Sequence, residues 1–367
     1  MQRDRGKERF WRGLSDPARL LTLAESDWPP FLEAFRVTGT LGKTAAALRR
    51  AGHFNDLPPR VRLQLEELLL LVDRNQTDIR FELNRVLHAL GHNHPPLIVL
   101  KGAAYLVAGL TPADGRFSSD LDVLVPRSKL KDLENRLLSA GWRGDELSSY
   151  DERYYREWMH EIPPLWHPGR GIAVDIHHTI APLTGRASPD PQALVLAATN
   201  SELKGVQLLC PADMVLHSAL HLFNEEFLMG LRDLTDIRDL LEEFAEDSGF
   251  WMTLADRARL HGLERQLFYL LRYTEIILEC APAGRPKELK SLGKPGPLTL
   301  YFMDLLILHA MTPPVGLFSS PVRKTVIWLL YLRSHWLKMP PLLLFKHFLV
   351  KSWRRWREPR AALSGKA

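Results

Sequence analysis

Residues 100–125, LKGAAYLVAGLTPADGRFSSDLDVLV, decide the fold of this 367-residue chain. They begin at the end of a short apolar run, Leu97-Ile-Val-Leu100, which reads as a buried strand turning at Gly102. AAYLVAGL reads as a brief helix ending at Gly109, TPADGRFSS as a loop of turn formers, and DLDVLV as the next strand. Strand side chains alternate faces, so Asp120 and Asp122 project from one side and Leu121, Val123 and Val125 from the other. Two carboxylates held that close repel, and one keeps its proton unless a cation sits between them. Mg²⁺ is the natural cation, a hard ion that takes oxygen ligands and keeps room for water and phosphate.

By itself, D-x-D is equally the mark of two solvated aspartates on an edge strand. Its surroundings carry more weight. A strand ending in LKG opens directly into a helix, whose free N–H groups and dipole suit an anionic phosphate. A third carboxylate, Asp175, sits in the middle of the strand-like GIAVDIHH (171–178). A helix start for phosphate, paired acids for a metal and a third acid for metal or base are the parts that phosphoryl and nucleotidyl transfer require.

Outward from this stretch the chain is mainly helical. In residues 1–95, PPRVRLQLEELLLLVDRN and QTDIRFELNRVLHALGHN both carry apolar residues at helical spacing, and the sequence predicts two helices meeting at Asn75. GHNHPP ends the second. After the D-x-D strand, RSKLKDLENRLLSAGW is an amphipathic helix with Gly141 at its C-terminal cap. HEIPPLWH and GIAVDIHHTI, joined by PGRG, form a hairpin. The expected organisation is a helical region over 1–95, a mixed core over 96–181, a helical subdomain over 182–281, a Pro/Gly-rich linker over 282–297 and a basic, apolar helical tail over 298–367.

Hydrophobic residues make up 46% of the chain and charged residues 25%, as in ordinary globular proteins. The net charge of +5 belongs to the tail: from Thr312 to Ala367 there are eleven Lys and Arg against one acid, Glu358. Cys210 and Cys280 form no C-x-x-C pattern, which excludes a zinc ribbon or disulfide framework and fits a reduced, cytoplasmic setting. MQRDRGKERFWRG lacks the apolar core of a secretory leader. No run reaches the ~18 apolar residues of a membrane-spanning helix.

LKGA, DLDV and VDIHH together resemble the signature of the nucleotidyltransferase superfamily that includes DNA polymerase beta, poly(A) polymerases and aminoglycoside nucleotidyltransferases. More closely, LKGAA…R…SDLDVLV…VDIHH…PADMVLHSALH resembles its bacterial branch of uncharacterised nucleotidyltransferases, whose members often sit with polysaccharide-biosynthesis functions. The core resemblance spans about residues 95–245, and the tail is similar as well. It implies an α+β fold, a small mixed sheet flanked by N-terminal helices and a C-terminal helical region. It further implies a Mg²⁺-dependent transfer of NMP from an NTP, such as ATP, to an acceptor hydroxyl or phosphate. Asp120, Asp122 and Asp175 would be the catalytic and metal-binding acids; Lys101, Gly102, Arg116 and Ser119 would bind the nucleotide. Two departures stand out: Ala103 replaces the usual Gly or Ser, and sixteen residues separate Ala103 from Asp120, slightly more than the superfamily norm. An RNA-modifying, toxin-like transferase and a non-catalytic nucleotide-binding scaffold are the alternatives.

Other residues have competing readings. His177 should share the face of Asp175 and His178 the opposite one, and with no further Cys or carboxylate at zinc-ligand spacing the pair does not read as a metal site. His217 and His221, spaced i,i+4 without the H-E-x-x-H glutamate, read as core packing or the polar edge of a cleft. RDLTDIRD (232–239) reads most simply as a salt-bridged solvated face, while the resemblance implies a segment packed near the core, with Arg232 or Asp236 within reach of substrate. In the tail, residues 321–357 mix Trp, Leu and Lys/Arg. They suit a helical subdomain packed on the body with a basic rim, or peripheral contact with the inner face of a membrane, with RNA as a third partner.

Overall fold

The computed structural model describes residues 2–91, 94–227, 229–346 and 348–349. Four helices precede the sheet: α1 (Gln2–Ser15), α2 (Trp28–Val37), α3 (Leu41–Arg50) and α4 (Pro59–Leu90). The last is 32 residues long and passes through Asn75 without a break, correcting the expected two helices. Asn75 does not stop the helix because its side chain is used elsewhere. Its amide donates to the Ser118 carbonyl and its own carbonyl accepts from the Ser118 N–H, both at 2.9 Å. A residue read as a helix boundary is a clamp on the loop before the D-x-D strand.

Seven strands form one mixed sheet: β1 (Leu97–Val99), β2 (Asp120–Leu124), β3 (Arg143–Gly144), β4 (Leu165–Trp166), β5 (Ala173–His177), β6 (Thr199–Asn200) and β7 (Val206–Leu208). Their order is β3-β4-β5-β2-β1-β7-β6. β4 and β5 are antiparallel, as the PGRG turn predicts. β2 is flanked by antiparallel β1 and parallel β5, which makes it central. Leu121, Val123, Val174 and Ile176 are fully buried on the face away from the aspartates, so an apolar layer holds the two strands in place. The architecture is the expected α+β arrangement. The sheet reaches past residue 181, however, because β7 pairs in parallel with β1 and brings the β6–β7 hairpin with it.

Helices α5 (Lys101–Ala108), α6 (Leu130–Ser139), α7 (Ser149–Arg153) and α8 (Pro191–Ala197) lie between strands. α9 (Pro211–Asn224), α10 (Gly230–Phe244), α11 (Phe250–Leu260) and α12 (Glu264–Leu278) follow the sheet. α5 closes on Gly109 in the left-handed conformation, φ +67°. α9 is buried along nearly its whole length and packs against α10, α11 and α12. The Pro/Gly-rich segment after α12 is docked: Leu289 is buried and Arg285 pairs with Glu275 of α12. α13 (Pro297–Ala310) and α14 (Arg323–Lys338) complete the labelled helices. α14 buries Val326, Leu330 and Ser334, and its Arg333 donates to the Phe223 carbonyl at the end of α9. Trp328 and Trp336 remain exposed on the same helix. Of the basic segment 321–357, residues 347 and 350–357 lie outside the described residues. Among the described residues no helix is long and apolar enough to cross a membrane.

Candidate functional site

Strand register brings the acids together. Asp122 and Asp175 are partners across the parallel β2–β5 pair, so their side chains leave the sheet on one face as neighbours. Asp120 stands two residues earlier on that face. Asp122 is 2% exposed. Its Oδ1 accepts from Lys101 Nζ at 2.7 Å and lies 2.9 Å from His177 Nε2. Burial alone would raise the Asp122 carboxyl, yet Lys101 and then His177 hold it far below the usual carboxylate range. The other two acids move the opposite way. Burial pushes Asp175 up to about 7, reinforced by the charges of Asp122, Glu161 and Asp120. Burial and then the Asp122 charge also raise Asp120.

Asp175 Oδ1 is buried without a hydrogen-bond partner. An orphaned carboxylate oxygen beside two further carboxylates is costly unless a cation fills the space, and an all-aspartate donor set suits a hard divalent ion. Asp120, Asp122 and Asp175 therefore fit Mg²⁺ by their chemistry.

The residues expected to meet phosphate gather beside Asp120 and Asp122, while Asp175 does not line their cleft. Lys101, Gly102, Arg116, Ser119, Asp120 and Asp122 line one cleft of about 100 Å³. Larger cavities exist elsewhere, so the chemistry, not the size, marks this one. Lys101 begins α5 with φ +48°, a left-handed conformation that costs a lysine about 1 kcal/mol or more. That turn carries its ammonium group to Asp122. A Cβ at Gly102 would collide with Ser118 Oγ and Arg116 Nε, so glycine is what lets the loop close over the helix start. Ser119 contributes a hydrogen bond that favours the ionised form of Asp120. The expected hydroxyl at position 103 is absent, and Ala103 is fully buried.

Both cations are already neutralised. Lys101 is paired with Asp122, and Arg116 pairs with Asp236 of α10. This corrects the reading of RDLTDIRD as a solvated face. Asp236 and Asp239 are buried and share Lys43 of α3, at 2.6 and 2.7 Å. Asp233 and Arg232 line the cleft itself. The available signal was spacing: Asp236 sits between Leu234 and Ile237, four residues before the buried Leu240, on the apolar side of the helix. Among the histidines, His217 is buried and His221 lines the cleft. Burial and then the Lys101 charge keep both neutral, His221 at about 4. Tyr105 Oη meets Ser218 Oγ at 2.7 Å, fastening α5 to α9 under the cleft.

The sequence profile of a family described as uncharacterised nucleotidyltransferase matches residues 24–279. The chain belongs to this family. The match takes in the whole sheet, the acid cluster and α2 to α12, and it stops before α13 and α14. No curated protein and no solved structure matches the chain. Lys101, Arg116 and Arg232, the cations lining the cleft among the described residues, are each already paired with a carboxylate.

Proposed function

We propose that this protein is a Mg²⁺-dependent nucleotidyltransferase that moves NMP from an NTP to an acceptor hydroxyl or phosphate. The observation that carries the reading is the register of Asp122 against Asp175, with Asp120 beside them and one Asp175 oxygen buried and unpartnered. Asp120, Asp122 and Asp175 would hold the metal, which when bound supplies charge neutralisation at the triphosphate. Lys101 and Arg116 would exchange their carboxylate partners for phosphate oxygens, with Gly102 and Ser119 lining the approach. The acceptor oxygen bonds to the α-phosphorus, the bond from that phosphorus to the α–β bridging oxygen breaks, and pyrophosphate leaves. Asp175 would share the metal and help draw off the acceptor's proton. We assign the acceptor to small, glycan-related molecules and the setting to the cytoplasm; the exposed Trp328 and Trp336 of α14 are the surface on which peripheral contact with the inner membrane face would rest.

The test is incubation with α-labelled NTPs, Mg²⁺ and a cell extract as acceptor source, reading pyrophosphate release and label transfer. Asp122→Asn and Asp175→Asn should each lower both by about two to three orders of magnitude with the fold intact by circular dichroism. Unchanged release in both variants sinks the reading. One observation favours a second function: a cleft of about 100 Å³ with paired cations suits a non-catalytic nucleotide-binding scaffold. That reading predicts NTP binding without pyrophosphate.

A further inference from the structure

We propose that His160, Glu161 and His177 form a separate site for a borderline transition-metal ion such as Zn²⁺, backed onto the acid cluster through Asp122. The inference does not depend on NMP transfer. Glu161 and His177 pair across an antiparallel bridge, so their side chains leave the backbone on the same side. The adjoining hydrogen bonds, Ile162 N–H to Ile176 O at 3.0 Å and His178 N–H to His160 O at 2.9 Å, fix that register. One ligand atom from each of His160, Glu161 and His177 lies within 4.8 Å of the other two.

The hydrogen-bond accounting at His177 points to the ion. Its ring is fully buried, and a neutral imidazole has one N–H. That N–H is taken by Asp122, 2.9 Å from Nε2. Nδ1 then carries a lone pair with no hydrogen-bond partner, and it faces Glu161 Oε2 at 3.4 Å. Two acceptors pointed at each other inside the protein repel unless a proton or a metal ion lies between them, and His160 beside the pair supplies the further ligand that a metal ion uses and a proton does not. The separation is also apt: ligand atoms at ~2.0–2.1 Å from a tetrahedral ion are about 3.4 Å apart. His160 completes the set, with Nε2 3.9 Å from the same Glu161 oxygen and its ring centre 5.2 Å from that of His177.

Two imidazoles and one carboxylate favour Zn²⁺ or a similar ion over Mg²⁺, which prefers oxygen. Asp122 stands behind His177 as the outer carboxylate that commonly fixes the tautomer of a metal-bound histidine. His160 and Glu161 side chains are 14% and 21% exposed, so the fourth position opens toward solvent. One carboxylate, Asp122, would thus serve both sites, as ligand on one side and as orienting group on the other.

The experiment uses the full-length, metal-stripped protein titrated with Co²⁺, read by its visible d–d absorption and displaced with Zn²⁺. One equivalent of Co²⁺ should give the intense bands of a tetrahedral site, in wild type and in Asp120→Asn alike. His160→Ala and the near-isosteric Glu161→Gln should each weaken binding at least tenfold, with circular dichroism confirming the fold. Three results overturn the proposal. They are no tetrahedral band in wild type, binding unchanged in both variants, or equal loss in Asp120→Asn, which would put Co²⁺ in the aspartate cluster. A proton between His177 and Glu161 instead of a metal gives the first of these.

Discussion

Lys101 is the residue on which the cleft turns, because it neutralises the acid a metal would bind and is also the nearest cation to an incoming phosphate. Lys101→Met should therefore act in two directions. In the nucleotide-free protein, Asp122 loses its competing cation and Mg²⁺ affinity should rise about tenfold, measured by calorimetry. The KM for NTP should rise by a similar factor, since the ammonium group is no longer there for phosphate. Mg²⁺ and NTP affinities that move in the same direction would contradict the assignment. Asp175 makes a pH prediction. Its carboxyl ionises at about 7 in the folded protein against an ordinary 3.8, so between those values the native state holds a proton the unfolded chain has released. Stability then falls as pH rises across that window. The metal-free wild type should lose thermal stability from about pH 4 to 7 relative to Asp175→Asn, and a pH-independent difference would count against it. Strand alternation made the shared face of Asp120 and Asp122, and of Asp175 and His177, legible in the sequence, whereas the β2–β5 register that sets Asp175 beside Asp122 was implied only by the resemblance. The Lys101–Asp122 pair was not legible, because a left-handed lysine leaves no trace in composition or spacing.

Among the elements, the loop from Thr111 to Ser119 matters most, since it carries Arg116 over the start of α5. It is held at both ends. Asn75 of α4 grips Ser118, and Gly115, at φ +69°, lies directly against Gly42 of α3. The approach is so close that a Cβ on either glycine would run into backbone of the other. Gly42→Ala should cost about 1–3 kcal/mol by thermal or urea unfolding and weaken NTP binding, because the loop must move to admit the methyl group. A silent Gly42→Ala would mean the loop has no fixed seat. Helix periodicity located α6 and both halves of α4 in the sequence, and the PGRG turn located the β4–β5 hairpin. Long-range clamps escaped because nothing local distinguishes Asn75 that caps a helix from Asn75 that reaches 43 residues along the chain. Two-residue strands such as β6 escaped for the same reason: pairing with β7, not propensity, makes Thr199–Asn200 a strand.

Across the whole molecule, Asp236 joins three parts of the chain: α10, the Arg116 loop and Lys43 of α3. The N-terminal helices are thus wired to the site through one buried carboxylate. Asp236→Asn should lower stability by about 3 kcal/mol, as breaking a buried ion pair does. It should at the same time release Arg116 and tighten NTP binding several-fold. A variant that loses stability without gaining affinity would show that Arg116 plays no part in nucleotide capture. The organisation explains why reading RDLTDIRD in isolation fails: Asp236 finds its partners in Arg116 and Lys43, 120 and 193 residues earlier, and only the fold brings them near. One consequence follows from the ends of the sheet. Both outermost strands, Arg143–Gly144 and Thr199–Asn200, are two residues long and exposed. Edges that short offer no template for a foreign strand, which disfavours strand exchange and fibril growth from the sheet. Copies of this protein that meet in a crowded cell will find helical faces to bind before they find strands to share.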